Sequence, residues 1–545
     1  MSSEAKPDRT SRVPHFTFPA TREAQEAQLA DNPLLQRFRE SRRAFASDPH
    51  RPLYHFVSPE STLNDPNGLC FWQGLWHLFY QGYPPEDRRQ HWGHAVSDDL
   101  IHWRDLPYAI YPNPEDCCFS GATLVEDDRV IAIYHGTQVG NMVAVSNDPL
   151  LLNWEKVTGQ AVIPLSAAPN VFDPCIWKKD GFYYSLSGGT LPHEPSGRRR
   201  AAEFLLRSAD LATWEYLHPF VEGDAFSLIG DDGACPYFWP IGDEQSGVQH
   251  ILLHFSHMSG GRYLLGDYDT QRDKFVVTQG GRFTFGPWHP GGVHAPSATP
   301  DGKGGLIAIF NINVGRPTPG WDQIMSLPRR LTLAGKDQLA IEPAGDIESL
   351  RSEHRRLEDV TLPANHEIVL DSVQGAALEI SVEIDPQNAP MVELNVLRSP
   401  GKEEFTRIAF YKQRGYQNWE RFTDWRKWLD TCDSLITIDT SYSSELPDAL
   451  SRAPETAPVY LAPGETLKLR IFIDQSVVEV FVSGQASDLY SPSGLYSPSG
   501  LYSQCLAARV YPGRADSLGV SLRAQGSQAV LKRLDAWTMQ SIYPV

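Results

Sequence analysis

At 545 residues the chain is longer than one hydrophobic core usually organises, which predicts two domains. A formal net charge of −19 repels phosphate backbones and anionic headgroups, which argues against nucleic acid and membrane surfaces as partners. Seven cysteines with no CxxC pair indicate neither a disulfide framework nor a zinc site, and 42 glycines with 42 prolines favour short strands joined by turns.

Residues 1–19 are polar, with prolines at 7, 14 and 19, and read as an arm. The start lacks the apolar core of a secretory signal, and no run of 18 or more apolar residues follows, so a cytoplasmic protein is expected. From Ala20 to Ala46 runs the one clearly helix-forming stretch, with Leu34, Leu35, Phe38 and Phe45 as its apolar face. Residues 1–50 are thus expected to be an N-terminal arm with a helix, packed on the body or on a second subunit.

From Tyr54 the text changes to aromatic and β-branched runs broken by turn-formers: LWHLFYQ (75–81), VIAIYHG (130–136), GFYYSLSG (181–188), HILLHFSH (250–257) and GLIAIFNIN (305–313). Their spacing of roughly 50 to 70 residues is the pitch of propeller blades. It predicts a β-propeller over 51–340, followed by a linker at 341–360. In 361–545, Leu378, Ile380, Val382 and Ile384 alternate with polar residues, as do Val392, Leu394 and Val396, and Leu467, Leu469, Ile471 and Ile473. Clean period-2 alternation predicts sheets with one buried face, an antiparallel sandwich, with Asp474-Gln475-Ser476 as a hairpin turn. The hexapeptide LYSPSG at 489–494 repeats at 495–500 and reads as an exposed loop.

The chemistry concentrates in ordered blocks. Asn64-Asp65-Pro66-Asn67-Gly68 is dense in turn-formers and would place a carboxylate at a strand end. Downstream follow HWGHAVSDDLIHW (91–103), CFSGATL (118–124), VFDPCIW (171–177), GWDQIMSLPRRLTL (320–333) and RIFIDQSVVEVFV (470–482). In order and spacing these blocks resemble glycoside hydrolase family 32, the invertases, inulinases and levanases, over residues 51 to 545. The resemblance implies an all-β chain: a five-bladed catalytic propeller and a C-terminal sandwich, here with a helical N-terminal extension. It implies retaining hydrolysis of β-fructofuranosides (sucrose, fructo-oligosaccharide or fructan), with fructosyl transfer as a variant. That mechanism needs two carboxyl groups about 5–5.5 Å apart and no metal or cofactor. Asp65 matches the family nucleophile and Asp173 the aspartate that holds fructosyl hydroxyls. Asn64, Gln81, Trp92, Phe119 and Ser120 match the fructose pocket.

Two positions depart from the family blocks. Phe172 stands where an arginine normally precedes the aspartate, so recognition of sugar hydroxyls must differ. Ala234, in GDDGACPYFWP (230–240), stands where the acid/base glutamate belongs, and alanine gives no proton. Three explanations compete: a substitution that traps substrate, a divergent branch with another donor, and a carbohydrate-binding relative without turnover. Hydrolysis of another furanoside is a further alternative. Candidate donors are Asp232, His254, His257 and His294, the last in GPWHPGGVHAP, since a histidine donates at neutral pH without burial. The helical extension and the sandwich each offer a surface for homo-oligomers.

Overall fold

The computed structural model describes residues 9–244, 246–418, 422, 424–483, 485–486 and 502–543. The N-terminal extension forms two helices, α1 (Arg22–Ala30) and α2 (Pro33–Ala44), where one was expected. The break falls at Asn32-Pro33. Proline lacks an N–H and is tolerated only in a helix's first turn, and the Asn32 side chain accepts the Leu34 and Leu35 amides at 3.0 and 3.3 Å. Leu29, Leu34, Leu35 and Phe38 are buried against Leu75, Val96 and Leu106 of the main body.

The body is a β-propeller followed by a β-sandwich. The propeller strands form five sheets of four or five strands, spanning 63–110, 118–164, 172–219, 221–282 and 293–343. The innermost strand of each sheet (Leu63–Trp72, Cys118–Val125, Phe172–Lys179, Ala234–Asp243 and Val293–Pro300) packs on the next, and the fifth packs on the first, closing a ring. Gly68 illustrates how close that approach is: at φ 49°, a Cβ there would lie 2.6 Å from the Thr123 side chain of the neighbouring sheet.

All five innermost strands carry a register irregularity near their first residues. The breaks fall between Leu63 and Pro66, Cys118 and Gly121, Phe172 and Pro174, Ala234 and Tyr237, and Val293 and Pro296. A β-bulge leaves residues outside the ladder and re-aims their side chains. The residues released are Asn64 and Asp65, Phe119 and Ser120, Asp173, Cys235 and Pro236, and His294 and Ala295. All five breaks lie at the same end of the ring.

The sandwich packs a six-stranded sheet on a seven-stranded one, and the alternating residues Ile380, Val382, Leu394, Val396, Leu469 and Ile471 share its core. Leu467–Asp474 turns back into Val477–Ser483 through Gln475 at φ 55°. The repeat at 489–500 lies outside the described residues. The linker expected at 341–360 is shorter: Gln338–Pro343 completes the last propeller sheet, and Arg351–Leu362 is already an edge strand of the sandwich. That strand is charged and largely solvent-facing, as edges often are, so its sequence shows no apolar alternation.

Asp474 and Glu479, both in the 470–482 block, bind the sandwich to the propeller. Asp474 accepts the amides of Leu53, Tyr54 and His55 at 2.7–2.8 Å. Glu479 accepts from the Leu327 amide at 2.7 Å and from Arg329 at 2.9 Å. The fully buried His55 ring bridges the two carboxylates, at 2.9 Å from Asp474 and 3.2 Å from Glu479. Burial works against a charged His55, but these two partners raise its pKa to about 8.

Candidate active site

The five bulges bring one group from each sheet to a common point: Asp65, Ser120, Asp173, Cys235 and His294. Asp65 is 6% exposed and sits at the centre. Its Oδ2 accepts from Ser120 Oγ at 2.5 Å, Gln81 Nε2 at 3.2 Å and the Cys235 thiol at 3.7 Å. Its Oδ1 accepts from His294 Nδ1 at 3.0 Å. Burial pushes the Asp65 pKa up, but His294, by charge and hydrogen bond, together with Ser120 and Cys235, outweighs it and holds the carboxyl below its ordinary value. Asp65 is therefore an anion at neutral pH, the form a nucleophile needs.

Asp173 faces the same thiol: Cys235 Sγ lies 3.6 Å from its Oδ2, and the Cys235 amide donates to that oxygen at 3.3 Å. Burial, then the charge of Asp65, lifts Asp173 to about 7. Two carboxyls in one buried site are thus pushed in opposite directions, the pattern that separates catalytic roles. Asp173 and Cys235 both take left-handed backbone, at φ 41° and 51°, as befits residues turned out of their ladders.

A closed ring of hydrogen bonds fixes Asp65. Gln81 accepts from Asn64 at 3.1 Å, Asn64 accepts from Asn311 at 3.0 Å, and Asn311 Oδ1 lies 3.3 Å from the His294 Nδ1 that returns to Asp65. Asn311 also donates to Gln323 at 2.8 Å. Gln81 and Ser120 thus bond to Asp65 directly and Asn64 bonds to Gln81, and Phe119 precedes Ser120 on the same bulge. Trp92 does not face the site. It is 0% exposed, packed between Phe79 and Tyr134, and its indole N–H donates to the Phe119 carbonyl at 3.0 Å. It props the Phe119–Ser120 bulge from beneath.

The two departures from the family blocks are neighbours in space. Ala234 is 1% exposed in an apolar cluster with Cys235, Phe255 and Ala295, against which Phe172 and Trp288 pack. Apolar surface thus fills the ground where an arginine and a glutamate were expected. Of the candidate donors, His294 is committed to Asp65, and His254 is buried beneath the site, 3.7 Å from Glu203, with burial lowering its pKa to about 4. Asp232 does not reach Asp65 by a hydrogen bond among the described residues. Its two oxygens bind the amide and the ring Nδ1 of His257, at 3.1 and 2.6 Å. Reading the sequence alone gave no role to Cys235, Asn311 or Gln323. The first lies beside Ala234 in the ACP block, and the second lies in the NIN of 311–313, at the end of a run read only as a strand.

Family models match most of the chain: the glycosyl hydrolases family 32 N-terminal domain over 55–343 and the family 32 C-terminal domain over 346–487. Among relatives, a levanase of Bacillus subtilis is 27% identical, over 80% of this chain and 65% of its own length, so the chain spans just under two thirds of that protein. A sucrose-6-phosphate hydrolase of Zymomonas mobilis is 26% identical over 90% of this chain and 92% of its own. Fructan 1-exohydrolase IIa of Cichorium intybus shares the fold at a TM-score of 0.75 and 22% identity, over 91% of this chain and 98% of that one. With the family matched across both domains, and Asp65 and Asp173 meeting at the converging strand ends, the chain belongs to glycosyl hydrolase family 32.

Proposed function

We propose that the protein is a retaining β-fructofuranosidase, acting on sucrose, fructo-oligosaccharides or fructans. The observation that carries the reading is the ring of hydrogen bonds that holds an ionised Asp65 beside Asp173. In such a reaction Asp65 bonds to the anomeric carbon, and Asp173 stabilises the developing oxocarbenium charge and holds sugar hydroxyls. The relatives are named for fructoside hydrolysis: levanase, sucrose-6-phosphate hydrolase and, in Arabidopsis thaliana, β-fructofuranosidase.

The test is fructose release from sucrose, inulin-type and levan-type oligosaccharides, with Asp65→Asn as control. Release that vanishes in the control supports the hydrolase. The apolar surroundings of Ala234 favour a second reading, a sugar-binding relative without turnover. That reading predicts no release from any substrate and unchanged sugar affinity in Asp65→Asn.

A further inference from the structure

We propose that His257, oriented by Asp232, is the general acid and base of this site, doing what Ala234 has no group to do. The inference rests on the hydrolase reading above. His257 follows the strand Gly247–Ser256, whose Phe255 is the ladder partner of Ala234, so it stands beside the strand end where the acid is missing. A wall of rings leads to it from the nucleophile. The His294 ring, bonded to Asp65, lies 4.8 Å from Trp288 and 6.5 Å from His257, and Trp288 donates its indole N–H to the His257 carbonyl at 2.9 Å. His257 has 62% of its side chain exposed, unlike the buried His294 and His254, so a leaving group arriving from solvent can meet it.

The chemistry of the pair suits the task. Asp232 takes Nδ1, which leaves Nε2 as the nitrogen that exchanges a proton, the arrangement by which a carboxylate orients a catalytic imidazole. The groups acting on His257 are Asp232, by its hydrogen bond, then partial burial in opposition, then the charges of Asp232, Asp173 and Asp65. Together they keep the imidazole protonated to higher pH than usual. In the first step the Nε2 proton passes to the glycosidic oxygen as that oxygen's bond to the anomeric carbon breaks and an Asp65 oxygen bonds to the carbon. In the second, neutral Nε2 takes a proton from water as the water oxygen bonds to the same carbon and the Asp65 ester breaks.

The test compares His257→Ala and His257→Gln with the wild type on two substrates: sucrose, and an aryl β-fructofuranoside whose p-nitrophenolate leaves without protonation. Loss of a general acid is worth roughly 10²–10⁴-fold, so kcat/KM on sucrose falls by that factor while the aryl substrate loses far less. The alkaline limb of the sucrose pH profile disappears, and Asp232→Asn, acting through His257, moves that limb to lower pH with a smaller loss. Melting temperatures check that the variants are folded. Sucrose activity kept within about threefold, equal losses on both substrates, or an alkaline limb unmoved in both variants would overturn the proposal. A wild type that releases no fructose overturns the hydrolase reading and this one with it. An active wild type whose His257→Ala form is equally active overturns this one alone.

Discussion

The folded protein holds the Asp173 proton more tightly than the unfolded chain does, and an Asp173→Asn substitution turns that into a measurable difference. The carboxyl sits at about 7 in the fold against an ordinary 3.8, through burial and the charge of Asp65. A carboxyl raised in this way adds stability at pH below its unfolded value, and the contribution drains away as pH climbs to the folded value. At about 1.4 kcal/mol per pH unit, the drain totals about 4 kcal/mol if the whole shift is realised. Asparagine keeps the shape and an oxygen for the Cys235 amide but has no charge to desolvate. The assay is thermal unfolding of wild type and variant at pH 4 and pH 8, reading the gap between the two proteins so that shared titrations cancel. The gap is small at pH 4; at pH 8 the variant melts higher, by on the order of 3–6 °C for a domain of this size. Fructose release falls steeply at both. A gap that does not widen with pH, or widens in favour of the wild type, would refute the reasoning.

Ser120→Ala removes the shortest donor to Asp65, so the Asp65 pKa rises and the acid limb of kcat/KM moves to higher pH. The plateau drops roughly tenfold or more, the worth of a hydrogen bond to a charged group. Ala234→Glu brings no gain in turnover and lowers the melting temperature, because Phe172, Phe255 and Trp288 offer a buried carboxylate no partner; a hundredfold gain would contradict this. Glu479→Ala strands the buried Arg329 charge and costs about 3–5 kcal/mol in denaturant unfolding. In the wild type, the raised His55 pKa adds stability below its ordinary 6.5 that is lost as pH rises through about 8; His55→Gln lacks that decline between pH 6 and 9.

Much of the site was legible because its residues sit in turn-rich blocks at strand starts. Asp65 in NDPNG and Asp173 in VFDP stand out from the apolar text around them. What was hidden is orientation. The strands around the site are buried on both faces, so period-2 alternation vanishes there and nothing distinguishes Trp92, on the third strand of the first sheet, from Phe119 on the innermost strand of the second. The thiol of Cys235 carries no mark that separates it from an ordinary core cysteine. Asp232 and His257 are 25 positions apart and meet only because the hairpin of 234–256 folds back on itself. The helix break at Asn32-Pro33 was missed because the helix-forming text on either side reads as one continuous stretch. The strand at 351–362 was missed because an edge needs no apolar face.

The bulges have a consequence for how freely this site can change. Asp65, Ser120, Asp173, Cys235 and His294 each sit on a residue that the sheet does not use to pair, so the ladder on either side closes without it. An exchange at such a place alters chemistry while leaving the scaffold's hydrogen bonding intact. Phe172 and Ala234 are the ladder-paired residues that flank two of these bulges, opposite Gly188 and Phe255. Since the pairing is made by backbone groups, a change of side chain there also leaves the propeller standing; His257 lies two residues beyond Phe255. The architecture works like a socket: the frame is specified once, and the reactive contents are interchangeable.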